Sequence, residues 1–297
     1  MPDPAASEVT TPPRVLVTGD AGSVGRVVTP TLHRYGFEVV GLDLSDGADL
    51  LDPPTVRHRL QGCQFVVHLA AVDDEQEAPG PLTPASTGGT AQVLRTNVGG
   101  TALLLAEAAR AGVQRVVMLG SVDVFGCFMG QGEPAYLPLD DAHPTTPRGA
   151  YAWSKLAAEE LCETFTSATG APSICLRAPG VFGAATYAFI DRARAEHPSS
   201  EWSPTWEYGA FIDVHDLAEA VAAALTQPDV RGHHRLLVNA DDISSQSEDG
   251  PTLAARLLPG VILGSPDRFR DDRFAALVDN GGAKAVLGWR PQRRWRR

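Results

Sequence analysis

Lysine is nearly missing from this chain. Only Lys155 and Lys284 occur among its 25 basic residues, and every other cation is arginine. Guanidinium stays protonated in proteins, whereas an ammonium is compact and its pKa moves with its surroundings. A lysine retained in an arginine-biased chain therefore points to a position that needs a tunable cation. Paired cysteines are missing too. Cys63, Cys127, Cys162 and Cys175 show no C-x-x-C spacing, which argues against a zinc site or a disulfide framework and points to reduced thiols. No metal is expected. No apolar run reaches membrane-spanning length and the stretch from Met1 to Pro13 has no apolar secretory core, so neither a membrane span nor export is indicated and a cytoplasmic location is expected. Basic stripes are absent as well. A net charge of -11 suits neither nucleic acid nor an anionic membrane. The single basic run, Arg293-Arg294-Trp295-Arg296-Arg297, reads as a solvated end or a surface contact.

What is present begins with a glycine turn. The apolar run from Arg14 to Thr18 meets Gly19-Asp20-Ala21-Gly22-Ser23-Val24-Gly25, and a helical pattern follows through Tyr35. Gly19 permits a tight turn, Gly22 lets the backbone approach a pyrophosphate and Gly25 allows close packing. Ser23 and Val24 sit where a helix start offers free N–H groups and a favourable dipole. Pro30 should kink that helix. The next apolar run, Phe37 to Leu42, ends on Asp43, at the spacing where an acid meets an adenosine ribose 2′-OH. No arginine follows directly, so NAD is favoured over NADP.

The pattern continues as strand and helix in alternation. Phe65 to Ala71 reads as a third strand running into a small-residue loop over the cofactor, with His68 a structural histidine. The stretch from Val72 to Gly89 reads as a mobile loop. A long helix from about Thr90 to Ala111 carries Asn97, and a fourth strand ends on Gly120-Ser121, at the edge where open α/β sheets bind ligands. A helix from about Gly149 to Thr169 then holds Tyr151 and Lys155, four residues apart and so on one face. An ammonium beside a phenol favours the phenolate, which suits Tyr151 to acid/base work although free tyrosine titrates near about 10. A fifth strand ends at Arg177, and a short aromatic and ionic cap containing Arg192, Arg194, Trp202, Trp206 and Tyr208 separates Gly183 from Phe211. Helix Val214 to Leu225 and strand Arg235 to Val238 return to the core. Short helices around Thr252 to Leu257, Arg270 to Val278 and Gly282 to Leu287 complete the chain.

The expected fold class is α/β, a Rossmann-type doubly wound parallel sheet with a small C-terminal substrate lobe. Residues 1–13 are expected to form a disordered tail, 14–183 the NAD-binding domain, and 184–297 the substrate lobe, with 213–238 returning to the core.

Taken together, Thr18-Gly19-x-x-Gly22-x-x-Gly25, Asp43, Asp49-Leu50, His68-Leu69-Ala70-Ala71, Asn97, Ser121, Tyr151-x-x-x-Lys155 and Arg177 resemble the extended short-chain dehydrogenase/reductase family, of the NAD-dependent epimerase/dehydratase type. The match in order and spacing runs from Arg14 to about Leu225, and Leu287-Gly288-Trp289-Arg290-Pro291 resembles that family's C-terminal signature. The resemblance implies Tyr151 as acid/base, Lys155 holding the nicotinamide ribose, Ser121 orienting the substrate oxygen, and Asn97 supporting the proton network. It implies that Asp49 and Leu50 border the adenine, that Leu69, Ala70 and Ala71 lie along the cofactor, and that a homodimer forms through the two long helices. Asp123, Arg177 and Arg192 are the candidate substrate contacts. Two departures shape the activity. The family's dehydratases carry Thr-Asp-Glu where this chain has Ser121-Val122-Asp123, and its nucleotide-sugar epimerases have a longer cap; the short cap is more like that of uronate dehydrogenases. The expected activity is NAD-dependent hydride transfer to or from a hydroxyl-bearing carbon of a small sugar, sugar acid or polyol. The alternatives are a nucleotide-sugar epimerase with tightly bound NAD and a non-catalytic NAD-sensing protein.

Overall fold

The computed structural model describes residues 12–73, 87–198 and 203–296. The expected tail, except its last two residues, most of the loop after Val72, Trp202 and Arg297 lie outside them.

Apolar, β-branched runs form one six-stranded parallel sheet. Its strands are β1 (Arg14–Thr18), β2 (Glu38–Leu42), β3 (Phe65–His68), β4 (Arg115–Ser121), β5 (Ser173–Ala178) and β8 (His233–Leu237), in the order β2-β1-β3-β4-β5-β8. Strand order reverses between β1 and β3, which opens a crevice at the carboxyl edge of the sheet. A second, two-stranded parallel piece pairs β6 (Val181–Phe182) with β7 (Ile212–Asp213) just beyond that edge.

Helices cover both faces. On one side α1 (Gly25–Arg34) and α7 (Val214–Thr226) bury Val28, Leu32, Leu217 and Val221 against Val15, Val17 and Ile174. On the other, α2 (Pro53–Arg59), α4 (Gly100–Ala111) and α5 (Gly149–Thr169) bury Val56, Leu104, Ala158 and Phe165 against Leu16, Val66 and Val116. α1 continues without interruption through Pro30. The single helix expected from Thr90 to Ala111 is instead α3 (Thr87–Val93), a π-helical turn over Leu94–Gly99, and α4. π-Turns widen a helix by one residue and tend to occur at functional positions; this one carries Asn97.

The two lobes interleave more than the expected boundary at residue 183 allows. Val122, Phe125, Phe128, Leu137 and Leu139, which follow β4, share a core with Ile243, Leu253 and Leu277. Conversely, α10 (Gly281–Leu287) and Trp289 join the sheet-side core, and the Trp289 indole donates to the Asp216 carbonyl at 3.0 Å. The helix expected from Arg270 to Val278 is not formed. After α8 (Gly250–Leu257), α9 spans only Pro266–Asp271, because the Asp272 carboxylate accepts the Phe274 N–H and turns the chain. Nor is the arginine run a solvated end. Arg293 donates its N–H to Asp216 and pairs with Asp213, each at 2.8 Å, and the Asp242 carboxylate takes the N–H groups of Trp295 and Arg296, each at 3.1 Å. The Trp295 ring packs on Phe182 and Phe211.

Arg177 overturns another expectation. It was a candidate substrate contact, yet it is 2% exposed and forms a two-pronged bond to Glu159 of α5, at 3.0 and 2.7 Å. Its charge is spent holding α5 to β5. Removing one partner of a buried pair strands the other, at a cost of about 3–5 kcal/mol. Glu159→Gln should therefore lose stability on that scale in denaturant unfolding, whereas an exposed pair such as Arg34 with Glu219 should cost no more than about 1 kcal/mol when broken.

Candidate active site

The turn after β1 is shaped by what it must approach. Gly19 has a φ of 72°, and a Cβ there would lie 2.8 Å from the Ala70 nitrogen. A Cβ on Gly25 would overlap the Gly19 carbonyl oxygen. Val24 precedes α1 with no side-chain cap, leaving the helix start available to an anion. A cleft of about 810 Å³ opens over this turn. Gly19, Gly22, Ser23, Val24, Gly25, Asp43, Asp49, Leu50, Leu69, Ala70 and Ala71 all line it. The size, the glycine cradle and the uncapped helix fit a dinucleotide. Sequence reasoning missed Gln92, Arg95 and Thr96, which line it from the other wall.

Asp43 caps a short turn and accepts the Ser45 N–H at 2.8 Å, a bond that holds its carboxyl below the usual range and keeps it anionic. Arg26, from α1, also lies close enough to act on it; a search of the residues adjacent to Asp43 in sequence misses this arginine.

His68 is held between the Thr18 and Thr101 hydroxyls at 2.7 and 2.8 Å, and burial pushes its pKa down to about 3, so it is neutral. Asn97, expected to support the proton network, sits between the loop after β3 and α5. Its amide clamps both backbone groups of Val72, at 2.7 and 2.9 Å, and donates to Ser154 at 2.9 Å. With those bonds made, it fixes the loop after β3 to α5 instead of lining the cleft.

At the carboxyl end of β4, Ser121 donates to Asp123 at 3.0 Å and lies close enough to act on Tyr151. Lys155 is 6% exposed, donates to the Leu119 carbonyl at 3.0 Å, and its ammonium stands 5.4 Å from the Tyr151 ring centre. Leu119 itself lines the cleft. Burial pushes Lys155 down to about 8, against the opposing pull of Asp73, Glu159 and Asp123. The expected phenolate does not prevail. Burial, then the charges of Asp123 and Asp73, raises Tyr151 above the ordinary tyrosine range, and the Ser121 hydroxyl only partly offsets this. In the free protein Tyr151 is therefore a held proton.

The cap is α6 (Ala184–Glu196) and a short 3-10 turn at Trp206–Gly209. Arg192 lies on an exposed face of α6, while Arg194 stacks on Trp295 at 4.7 Å. Neither is brought to Ser121 by a bond the structure shows. Glu207, unremarked in the sequence, has its carboxylate near Gly180, and burial pushes it up to about 8.

The model for the NAD-dependent epimerase/dehydratase family matches residues 15–239. The chain belongs to that family. It is similar to a UDP-glucose 4-epimerase of Streptomyces lividans, 28% identical over 94% of this chain and 92% of the relative. A uronate dehydrogenase of Pseudomonas syringae pv. tomato is 25% identical over 93% and 94%. Among solved structures, MoeE5 in complex with UDP-glucose and NAD superposes with a TM-score of 0.65 at 26% identity, covering 95% of this chain and 94% of that one. The fold is thus that of extended short-chain dehydrogenases/reductases, and the family's cofactor is NAD.

Asp43 should set the preference within that cofactor class. NAD should bind at least about tenfold more tightly than NADP, or about 1.4 kcal/mol, and Asp43→Ala should narrow the gap because Arg26 then faces the 2′-phosphate unopposed. Calorimetric titration of both nucleotides checks this, and equal affinity in the unsubstituted protein would contradict it.

Proposed function

We propose that this protein is an NAD-dependent oxidoreductase that moves a hydride between nicotinamide and a hydroxyl-bearing carbon of a small sugar, sugar acid or polyol. The observation that carries the reading is the convergence of Ser121, Tyr151 and Lys155 at the carboxyl end of β4, beside the glycine-walled cleft. Gly19, Gly22, Ser23, Val24 and Gly25 would hold the pyrophosphate of NAD, Asp43 the adenosine ribose, Asp49 and Leu50 the adenine, and Lys155 the nicotinamide ribose. Bound NAD supplies the hydride acceptor. Ser121 orients the substrate oxygen and Tyr151 exchanges its proton. In carbonyl reduction the held proton of Tyr151 is given up directly; in alcohol oxidation Tyr151 must first lose it, which the Lys155 ammonium assists. Asn97 keeps the loop at Val72 in place and so acts through positioning.

The epimerase reading is supported by the 28% identical relative; the short cap from Ala184 to Ala210, which leaves little chain to cover a nucleoside diphosphate, supports the dehydrogenase. A cytoplasmic homodimer built on α3, α4 and α5 accompanies the proposal. Leu94 and Trp153 support that surface, 41% and 58% exposed on the helical segment joining α3 to α4 and on α5.

NADH should accumulate stoichiometrically with a free sugar or sugar acid, followed by its absorbance. Tyr151→Phe should lose about 10² to 10⁴ in turnover while still binding NAD, and Lys155→Ala should lose both turnover and NAD affinity. Conversion of sugar nucleotides with no net NADH, and none of free sugars, would favour the epimerase.

A further inference from the structure

The cleft wall facing the glycine turn carries a charge that the Ser121, Tyr151 and Lys155 set does not use. Along the helical segments from α3 to α4, Val93, Asn97 and Thr101 recur every fourth residue and are buried, while the neighbouring stripe of Gln92, Arg95 and Thr96 lines the cleft. Both ends of that wall are fixed. Asn97 clamps the backbone of Val72 at 2.7 and 2.9 Å, and Gly100 approaches Leu50 so closely that a Cβ there would lie 2.7 Å from the Leu50 Cδ2. The π-turn Leu94–Gly99 carries Arg95 beside these anchors. Its side chain is exposed and, among the described residues, pairs with no carboxylate. The other charged groups in the described lining are Asp43 and Asp49, which accept the Ser45 and Leu51 N–H groups, each at 2.8 Å. A pyrophosphate entering this cleft therefore meets two carboxylates and one guanidinium, in a chain of net charge -11. The glycine turn answers it with dipoles alone. The uncapped start of α1 is equivalent to about half a positive charge, whereas a guanidinium is a full charge whose planar fork matches two phosphate oxygens.

We propose that Arg95 is a cofactor-binding residue: its guanidinium takes the pyrophosphate of NAD from the wall opposite the glycine turn. The inference rests on NAD as the family's cofactor and on neither substrate reading. Backbone N–H groups then hold the phosphates on one side and Arg95 on the other, so the anion is neutralised within a cleft whose remaining charged lining repels it. A lysine at this position would supply the charge without the fork.

Calorimetric titration of NAD, NADP and ADP-ribose into the unsubstituted protein, Arg95→Gln and Arg95→Lys tests this. Arg95→Gln should weaken all three at least about tenfold, or about 1.4 kcal/mol, because they share the pyrophosphate, whereas ADP-ribose lacks the nicotinamide and only NADP has a 2′-phosphate. Arg95→Lys should recover part of the loss. The loss should also shrink as salt rises from about 0.01 to about 1 M, over which the Debye length falls from about 30 to about 3 Å. Without nucleotide the three proteins should share one Tm, since Arg95 is exposed and unpaired. A loss confined to NADP would put Arg95 at the 2′-phosphate, and a loss equal at every salt concentration would make it a packing or stacking contact. Either result overturns the proposal, as does unchanged affinity in Arg95→Gln or earlier melting of that variant without nucleotide. A protein that binds none of the three compounds overturns it together with the cofactor assignment.

Discussion

An ammonium inside a protein must be met by acceptors or give up its proton, and Lys155 is under both pressures. Its ammonium donates to the Leu119 carbonyl, at 3.0 Å, and its pKa is driven down to about 8 by burial. Much of the neighbouring structure follows from reaching that position. α5 has to lie against β4, and it does so through Ala158, Cys162 and Phe165 packed on Val116 and Met118. The Arg177–Glu159 pair then locks the same helix to β5, and Ser154, one residue before Lys155, ties it to Asn97 in the π-turn. Asn97 holds Val72 at the lip of the cleft. One lysine in a dry place thus connects two strands, two helical segments and the loop over the proposed cofactor site.

The substrate side depends on a different constraint, that of closing a lobe over the carboxyl edge without a large domain to do it. The chain meets this by interleaving. The segment after β4 packs into the C-terminal core, while α10 and Trp289 pack back under the sheet. The arginine-rich end is drawn along the cap by Asp213, Asp216 and Asp242, so that Trp295 completes the aromatic cluster of Phe182 and Phe211. In a chain of net charge -11, gathering acids around a short basic run is also a way to discharge a local surplus.

How much of this the sequence discloses depends on the range of the signal. The glycine turn, the six main strands and the Tyr151 and Lys155 spacing are legible because turn chemistry and periodicity are local. The fate of Arg177 is not, since Glu159 lies 18 residues away and becomes its partner only once α5 is packed on β5. Arg26 reaches Asp43 across the space between α1 and the turn after β2, so reading along the chain hides it. The phenolate expected of Tyr151 considered the nearby ammonium without the burial and the Asp73 and Asp123 charges that outweigh it. Glu207 had no signal at all, because nothing in Trp206-Glu207-Tyr208 announces a left-handed backbone at a non-glycine residue. The π-turn at Leu94–Gly99 is equally silent, since its residues fit an α-helical pattern.

The scarcity of lysine supplies the most direct test. With Lys155 and Lys284 the only lysines, selective ¹³Cε labelling gives two signals, and Lys284→Arg assigns them. Followed against pH by NMR in the cofactor-free protein, the Lys155 resonance should titrate near about 8, well below the 10.5 of an ordinary lysine. A midpoint at or above 10.5 would show an ammonium in contact with water, and would contradict the dry, carbonyl-held cation on which this account of the site is built.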